Sequence, residues 1–193
     1  DVILHLAALI GIPYSYEAPL SYVKTNIEGT INVLEAARKN NIGLVVNTST
    51  SETYGTAIYT PIDELHPLQG QSPYSASKIS ADKLAESYFN SFKLPLITLR
   101  PFNTYGPRQS SRAVIPTIIS QLLTQDQLML GSLDPVRDFT YVDDIVDGLF
   151  RCVGKDLRAE VFDLGSGVSY SINELANQYG VDYPKEYIGY RDG

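Results

Sequence analysis

Tyr74 and Lys78 stand four residues apart, a spacing that puts two side chains on one helix face about 5–6 Å from each other. A tyrosine at its ordinary pKa of about 10 is a poor base at neutral pH. A lysine ammonium at that distance, at an effective dielectric of ~20, favours the phenolate by on the order of 3 kcal/mol, which is about two pH units. The expectation is a phenol that takes a proton from a hydroxyl group while hydride leaves the same carbon. Taken alone the spacing proves little, since the chain holds 14 tyrosines; the alternative is a solvated pair on a helix surface. Thr50, upstream at a strand end, adds a hydroxyl able to bridge the phenol and a substrate oxygen. Glu52, in the same loop, is a carboxylate able to remove a carbon-bound proton when partly desolvated. Its alternative is a solvated loop acid, as most glutamates are.

Those groups need elements to position them. The apolar run over 2–6 suits a strand buried on both faces. Residues 22–39 read as a helix with Val23, Ile27, Ile31, Leu34 and Ala37 on one stripe, closing at Asn40-Asn41 with Gly43 beyond. A strand follows over 44–46. Ser72-Pro73 supplies an N-cap and a first-turn proline for a helix running to about Phe92, expected to bury Ile79, Leu84, Tyr88 and Phe92. Further strands are expected over 96–99 and 161–164. Strands alternating with helices of this length predict an α/β fold with a parallel, doubly wound sheet. In such sheets ligands bind outside the carboxyl ends of the strands. The residues there are small or polar: His5-Leu6-Ala7-Ala8, Ser49-Thr50-Ser51-Glu52 and Pro101-Phe102-Asn103. They form either an active-site rim or ordinary surface loops.

A chain of 193 residues with 44% hydrophobic content can build a sizeable core. Its net charge of −7 argues against nucleic acid or an anionic membrane surface as partner. Any anionic ligand must then meet a few placed arginines and lysines. The single Cys152 excludes an internal disulfide and fits a reducing, cytoplasmic setting. No apolar run approaches the length of a spanning helix, and no residue set suggests a metal site. Because the chain opens on Asp1 directly before an apolar run, it is expected to be a portion of a longer protein.

Six motifs in order resemble the extended short-chain dehydrogenase/reductase family, the nucleotide-sugar epimerases, dehydratases and decarboxylases. They are His5-Leu6-Ala7-Ala8, Thr25-Asn26-Ile27-Glu28-Gly29-Thr30, the stretch from Asn47 to Gly55, Tyr74-Ser75-Ala76-Ser77-Lys78, the stretch from Arg100 to Arg108, and the stretch from Arg137 to Asp144. The resemblance implies a partial Rossmann-type sheet without its N-terminal βα units, plus part of a small substrate domain. Residues 1–102 would be the C-terminal part of an NAD-binding domain, and 103–193 a substrate-binding region interleaved with late Rossmann strands. It implies Thr50, Tyr74 and Lys78 as a catalytic triad, with Ser51 and Glu52 beside them. Ala7, Ala8, Ser49, Tyr74, Lys78 and Pro101 would line NAD. Asn103 and Arg137 would grip a substrate diphosphate, Arg112 would lie near the nucleotide, and Arg191 would be a second phosphate arginine or a surface charge. A homodimer through helices 22–39 and 74–92 is also implied.

Two departures bear on function. The glycine-rich dinucleotide fingerprint is absent, and the single G-x-G, Gly165-Ser166-Gly167, reads as a strand-to-helix turn, so the phosphate loop is expected upstream of Asp1. Ser51-Glu52 stands where many 4,6-dehydratases have Asp then Glu and where 4-epimerases have no carboxylate. The pairing is similar to that of GDP-mannose 4,6-dehydratases and of UDP-glucuronate decarboxylases. The stretches 12–16, 67–73 and 131–139 most resemble 4,6-dehydratases of legionaminic-acid-type biosynthesis, which use a nucleotide-linked N-acetylglucosamine. The expected product is a 4-keto-6-deoxy sugar; a UDP-sugar 4-epimerase, a decarboxylase and a non-catalytic NAD-binding regulator are the alternatives.

Overall fold

The computed structural model describes residues 1–155, 157–179 and 185–187. Along the chain lie β1 (Val2–His5), α1 (Ile12–Glu17), α2 (Pro19–Tyr22), a π-helical segment (Val23–Glu28), α3 (Gly29–Lys39), β2 (Leu44–Thr48) and a 3-10 turn (Ser51–Tyr54). There follow α4 (Pro73–Phe92), β3 (Leu96–Pro101), β4 (Asn103–Tyr105), α5 (Val114–Thr124), β5 (Leu128–Leu130), β6 (Val136–Tyr141) and α6 (Val142–Arg151). The last described elements are β7 (Glu160–Leu164), β8 (Ser169–Ser171), α7 (Ile172–Tyr179) and β9 (Lys185–Tyr187). The chain divides into two compact units, Asp1–Phe102 with Asp143–Leu164, and Asn103–Val142 with the residues from Gly165 onward.

The first unit is a four-stranded sheet in the order β1-β2-β3-β7, parallel throughout. Alternate residues of each strand serve opposite faces. Val45 and Leu96 pack with Leu34, Ala37 and Ala85 under α3 and α4, whereas Val46, Ile97 and Leu99 pack with Ile145 and Leu149 of α6. Helices on both faces make this the doubly wound α/β sheet that the alternation of strands and helices predicts. It also explains why the strands read as continuous apolar runs.

Two helical details differ from the expected pattern. The helix expected over 22–39 widens into π-helix at Val23–Glu28. That widened turn accompanies a clamp: Asn26 accepts the Leu9 amide at 2.8 Å and donates to the Leu9 carbonyl at 3.0 Å and to Ser77 Oγ at 2.9 Å. Helix α4 begins as expected, with Ser72 and Ser75 forming a reciprocal capping box and Pro73 in the first turn. Its inner face is another matter. Tyr74, Ser77, Lys78, Ala81, Asp82 and Ala85 are buried, while Phe92 is 52% exposed and Ile79, Leu84 and Tyr88 are half-buried. An apolar stripe selected from periodicity alone misses an inner face built from small and ionisable residues.

In the second unit β4 runs parallel to β6, and β8 joins β6 antiparallel; β5 pairs with β9. Ile118, Leu128, Leu130, Ile172, Leu175 and Ala176 form its core. The Gly165-Ser166-Gly167 turn leads first into the short strand β8 and only then into α7, which corrects the strand-to-helix expectation. Buried Asp138 holds it, accepting from the Ser166 amide and hydroxyl at 2.9 and 2.8 Å and from the Gly167 amide at 2.8 Å. Gly167 adopts φ +77°, a conformation that favours glycine.

Candidate active site

The site in the first unit grows from the carboxyl end of β2. Past Thr48 the chain leaves the sheet, and Thr50, in extended conformation, caps the 3-10 turn by accepting the Glu52 amide at 3.2 Å. Thr53 Oγ1 donates to the Thr50 carbonyl at 2.8 Å. Gly55 ends the turn with φ +65°, where a Cβ would meet Gln71 at 2.8 Å and Gln69 at 3.0 Å. The following loop therefore folds tightly back to the start of α4, bringing Tyr74 against the turn.

Tyr74 is 6% exposed, lies edge-on to the Tyr22 ring with centroids 6.1 Å apart, and is hydrogen-bonded by Thr50. Lys78 is 3% exposed, and its ammonium donates to the Thr48 carbonyl at 2.7 Å. The structure thus gathers Thr50, Ser51, Glu52, Tyr74 and Lys78. The expected lowering of the phenol by Lys78 is not found. Burial pushes Tyr74 up to about 12, the charges of Glu52, Tyr22 and Asp82 push the same way, and only the Thr50 hydrogen bond opposes them. Desolvation of a phenolate outweighs a neighbouring cation whose ammonium is turned toward a backbone carbonyl. Glu52, on the turn that Thr50 caps, lies within range for its charge to act on the phenol.

Ser49 is buried, its hydroxyl donating to Asp82 at 2.8 Å. Ala7 and Ala8 follow β1 with exposed and half-buried side chains. Pro101 ends β3 opposite Leu164. All three positions stand at the carboxyl edge of the parallel sheet. Asn103 and Arg137 belong to the second unit. There Asn103 pairs with Phe139, so Arg137, two residues earlier on β6, shares its face. Arg137 is exposed, and its Nη1 donates to the Val136 carbonyl at 2.9 Å. Arg112 is exposed just before α5, its amide donating to Ser110 Oγ at 3.4 Å. Arg191 lies outside the described residues. Among the described residues no group of three or more His, Cys, Asp or Glu is placed to hold a metal, and no helix is long and apolar enough to cross a membrane.

Reasoning from the residue pattern alone misses the polar layer behind Lys78. Asp82 pairs with Arg100 at 3.2 Å, both side chains nearly inaccessible. Arg100 also donates to the Tyr54 hydroxyl at 2.9 Å, and Tyr54 donates to Asp163 at 2.8 Å. His5 bonds Thr30 Oγ1 at 3.1 Å, and burial first, then Lys78, lower its pKa. The signal for Asp82 was present: an acid four residues past Lys78 shares the inward face that Tyr74 and Lys78 define.

Comparison with known proteins places this arrangement. The family described as GDP-mannose 4,6 dehydratase matches residues 1–190. Human dTDP-D-glucose 4,6-dehydratase is 30% identical over 179 residues, covering 92% of this chain and 51% of its own length. Among solved structures, a UDP-N-acetylglucosamine 4-epimerase from Methanobrevibacter ruminantium M1, in complex with UDP-N-acetylmuramic acid, superposes with a TM-score of 0.92 at 32% identity, covering 99% of this chain and 64% of that one. DesIV, a dTDP-glucose 4,6-dehydratase from Streptomyces venezuelae with NAD and TYD bound, gives 0.91 at 29% identity, covering 99% and 61%. The chain spans about half the length of the curated relatives it matches first. With a family match along nearly its whole length and Rossmann-type structural neighbours on the same sheet, the chain belongs to the GDP-mannose 4,6 dehydratase family, within the extended short-chain dehydrogenase/reductase group of nucleotide-sugar dehydratases and epimerases.

Proposed function

We propose that this chain carries the catalytic half of an NAD-dependent 4,6-dehydratase acting on a nucleotide-activated sugar, UDP- or GDP-linked N-acetylglucosamine, and yielding a 4-keto-6-deoxy sugar. The observation that supports a dehydratase is the presence of Glu52 on the turn that Thr50 caps, its charge acting on the Tyr74 phenol. The residues at the sheet edge also fit the cofactor. Lys78 donates one bond to Thr48, and an ammonium has three donors, which leaves capacity for a ribose hydroxyl. Ala7 and Ala8 carry no bulk there, and Ser49 and Pro101 stand on the neighbouring strands. When bound, NAD would supply the hydride acceptor for C4, the hydride donor for C6 and the positive charge of its oxidised ring.

In this mechanism Thr50 orients the sugar O4 against Tyr74, which takes its proton as C4 is oxidised. The new carbonyl acidifies the C5 hydrogen. Glu52 removes it, and the C6 hydroxyl departs as water, protonated by Glu52 or through Ser51. Lys78 holds the ribose and balances charge at the end of β2. Asn103 and Arg137 bind the diphosphate, a planar guanidinium being suited to two phosphate oxygens. Arg112 would lie near the nucleotide, and Arg191 would be either a second phosphate contact or a surface charge. The working protein in this reading is a cytoplasmic homodimer joined through the helices over 22–39 and 74–92, with a nucleotide sugar as its partner molecule.

The second reading is a 4-epimerase, favoured by the similarity to the Methanobrevibacter enzyme. Glu52→Gln separates the two, because epimerisation requires no proton to leave C5. In the full-length protein the variant is expected to form NADH transiently while water loss and exchange of the C5 hydrogen with deuterated solvent fall ~10²–10⁴-fold. Near-wild-type turnover in the variant, or a wild type that never exchanges C5, would give the epimerase reading its place.

A further inference from the structure

Behind the phenol, buried Asp82 pairs with Arg100 and lies one helical turn from buried Lys78, on which its charge acts. Lys78 and Arg100 are 3% and 5% exposed, and Asp82, one helical turn past Lys78, is 5% exposed. Asp82 takes both Nε and Nη2 of Arg100 at 3.2 Å. It also accepts Asn47 Nδ2 at 3.2 Å and Ser49 Oγ at 2.8 Å. Those two residues flank Thr48, whose carbonyl receives the Lys78 ammonium. One carboxylate therefore fixes the acceptor that aims Lys78, the ends of β2 and β3, and the charge balance of the layer.

Removing a buried anion leaves its partners uncompensated. Arginine cannot respond by losing a proton, whereas a buried lysine readily does. We propose that Asp82 is a positioning residue that keeps Lys78 protonated and directed at the end of β2 under working conditions. The proposal rests on the catalytic reading of Lys78 given above. Burial lowers the Lys78 ammonium and Asp82 raises it. Burial raises the Asp82 carboxyl, and Arg100, Ser49 and Lys78 oppose that rise. The other groups facing this layer are His5 on β1, Tyr74 on α4, Tyr22 on α2, Glu52 and Tyr54 on the 3-10 turn, and Asp163 on β7. Among these interactions, Asp82 is the one that favours the charged form of Lys78.

The test is a titration of the Lys78 side chain by NMR in the full-length protein with labelled lysine, the signal assigned by its loss in Lys78→Met. Asp82→Asn should move the Lys78 midpoint to lower pH, and Asp82→Glu should restore it. The alkaline limb of kcat/KM should move down in parallel. A purely structural role would lower Tm and activity while leaving both midpoint and limb in place, and that result would overturn the proposal. If Asp82→Asn does not fold, the double variant Asp82→Asn with Arg100→Gln removes both charges of the ion pair, and its Lys78 midpoint compared with that of Arg100→Gln alone carries the same test. Because the NMR midpoint needs no turnover, a lowered midpoint in a protein without dehydratase activity would refute the proposed reaction and leave the role of Asp82 standing.

Discussion

Tyr74 sets two physical effects against each other. A neighbouring ammonium favours phenolate, yet a phenol that is 6% exposed loses most of the hydration a phenolate requires. Burial wins, and the group stands near 12. Under the proposed mechanism, its use as a base would depend on positive charge arriving with the bound partners, which would couple proton removal to occupancy. The expected outcome is direct. A wild-type minus Tyr74→Phe ultraviolet difference titration of the free protein should show no phenolate at ~pH 10, where an ordinary tyrosine is half ionised. A phenolate signal appearing near neutrality without any ligand would mean that Lys78 dominates after all.

At the scale of elements, α4 is the part on which the site depends, since its first turn carries Tyr74 and its second Lys78. The capping box at Ser72 and Ser75 satisfies first-turn amides next to that phenol. Ser72→Ala should cost about 1 kcal/mol of stability, measured by urea unfolding, and should lower activity beyond the loss of folded protein, because fraying of this turn releases Tyr74. A stability change within a few tenths of a kcal/mol would show that packing alone holds the helix start. The π-helical segment makes a comparable point. Asn26 reaches both Leu9 and Ser77 from it, which ties the loop after β1 to α4.

For the molecule as a whole, stability should depend on pH through the polar layer. Burial, with Glu64 and Asp63 adding, pushes the Asp163 carboxyl up to about 6 against the hydrogen bond from Tyr54 and the charge of Arg100. A folded value above the ordinary 3.8 means that the folded state binds this proton more tightly than the unfolded chain does. The stability it contributes is complete below 3.8 and is lost as pH rises through about 6. Asp163→Asn, which cannot ionise, should therefore gain Tm relative to the wild type between about pH 4 and 7. A difference that stays flat across that window would remove Asp163 from the pH response.

The sequence by itself determined the alternation of strands and helices, the cap of α4, and the placing of Tyr74 and Lys78 on one helix face, because those signals are local: periodicity, caps and spacing within one or two turns. It also carried the family, in six ordered motifs. Tertiary structure alone decided what the inward face of α4 meets and what that does to the chemistry. Asp82, Arg100, Tyr54 and Asp163 come from separate elements and meet only once the sheet is assembled, so no window of sequence contains their contact. The charge state of Tyr74 belongs to the same category, since burial is a property of the packed molecule and reverses what the Tyr-Lys spacing alone suggests.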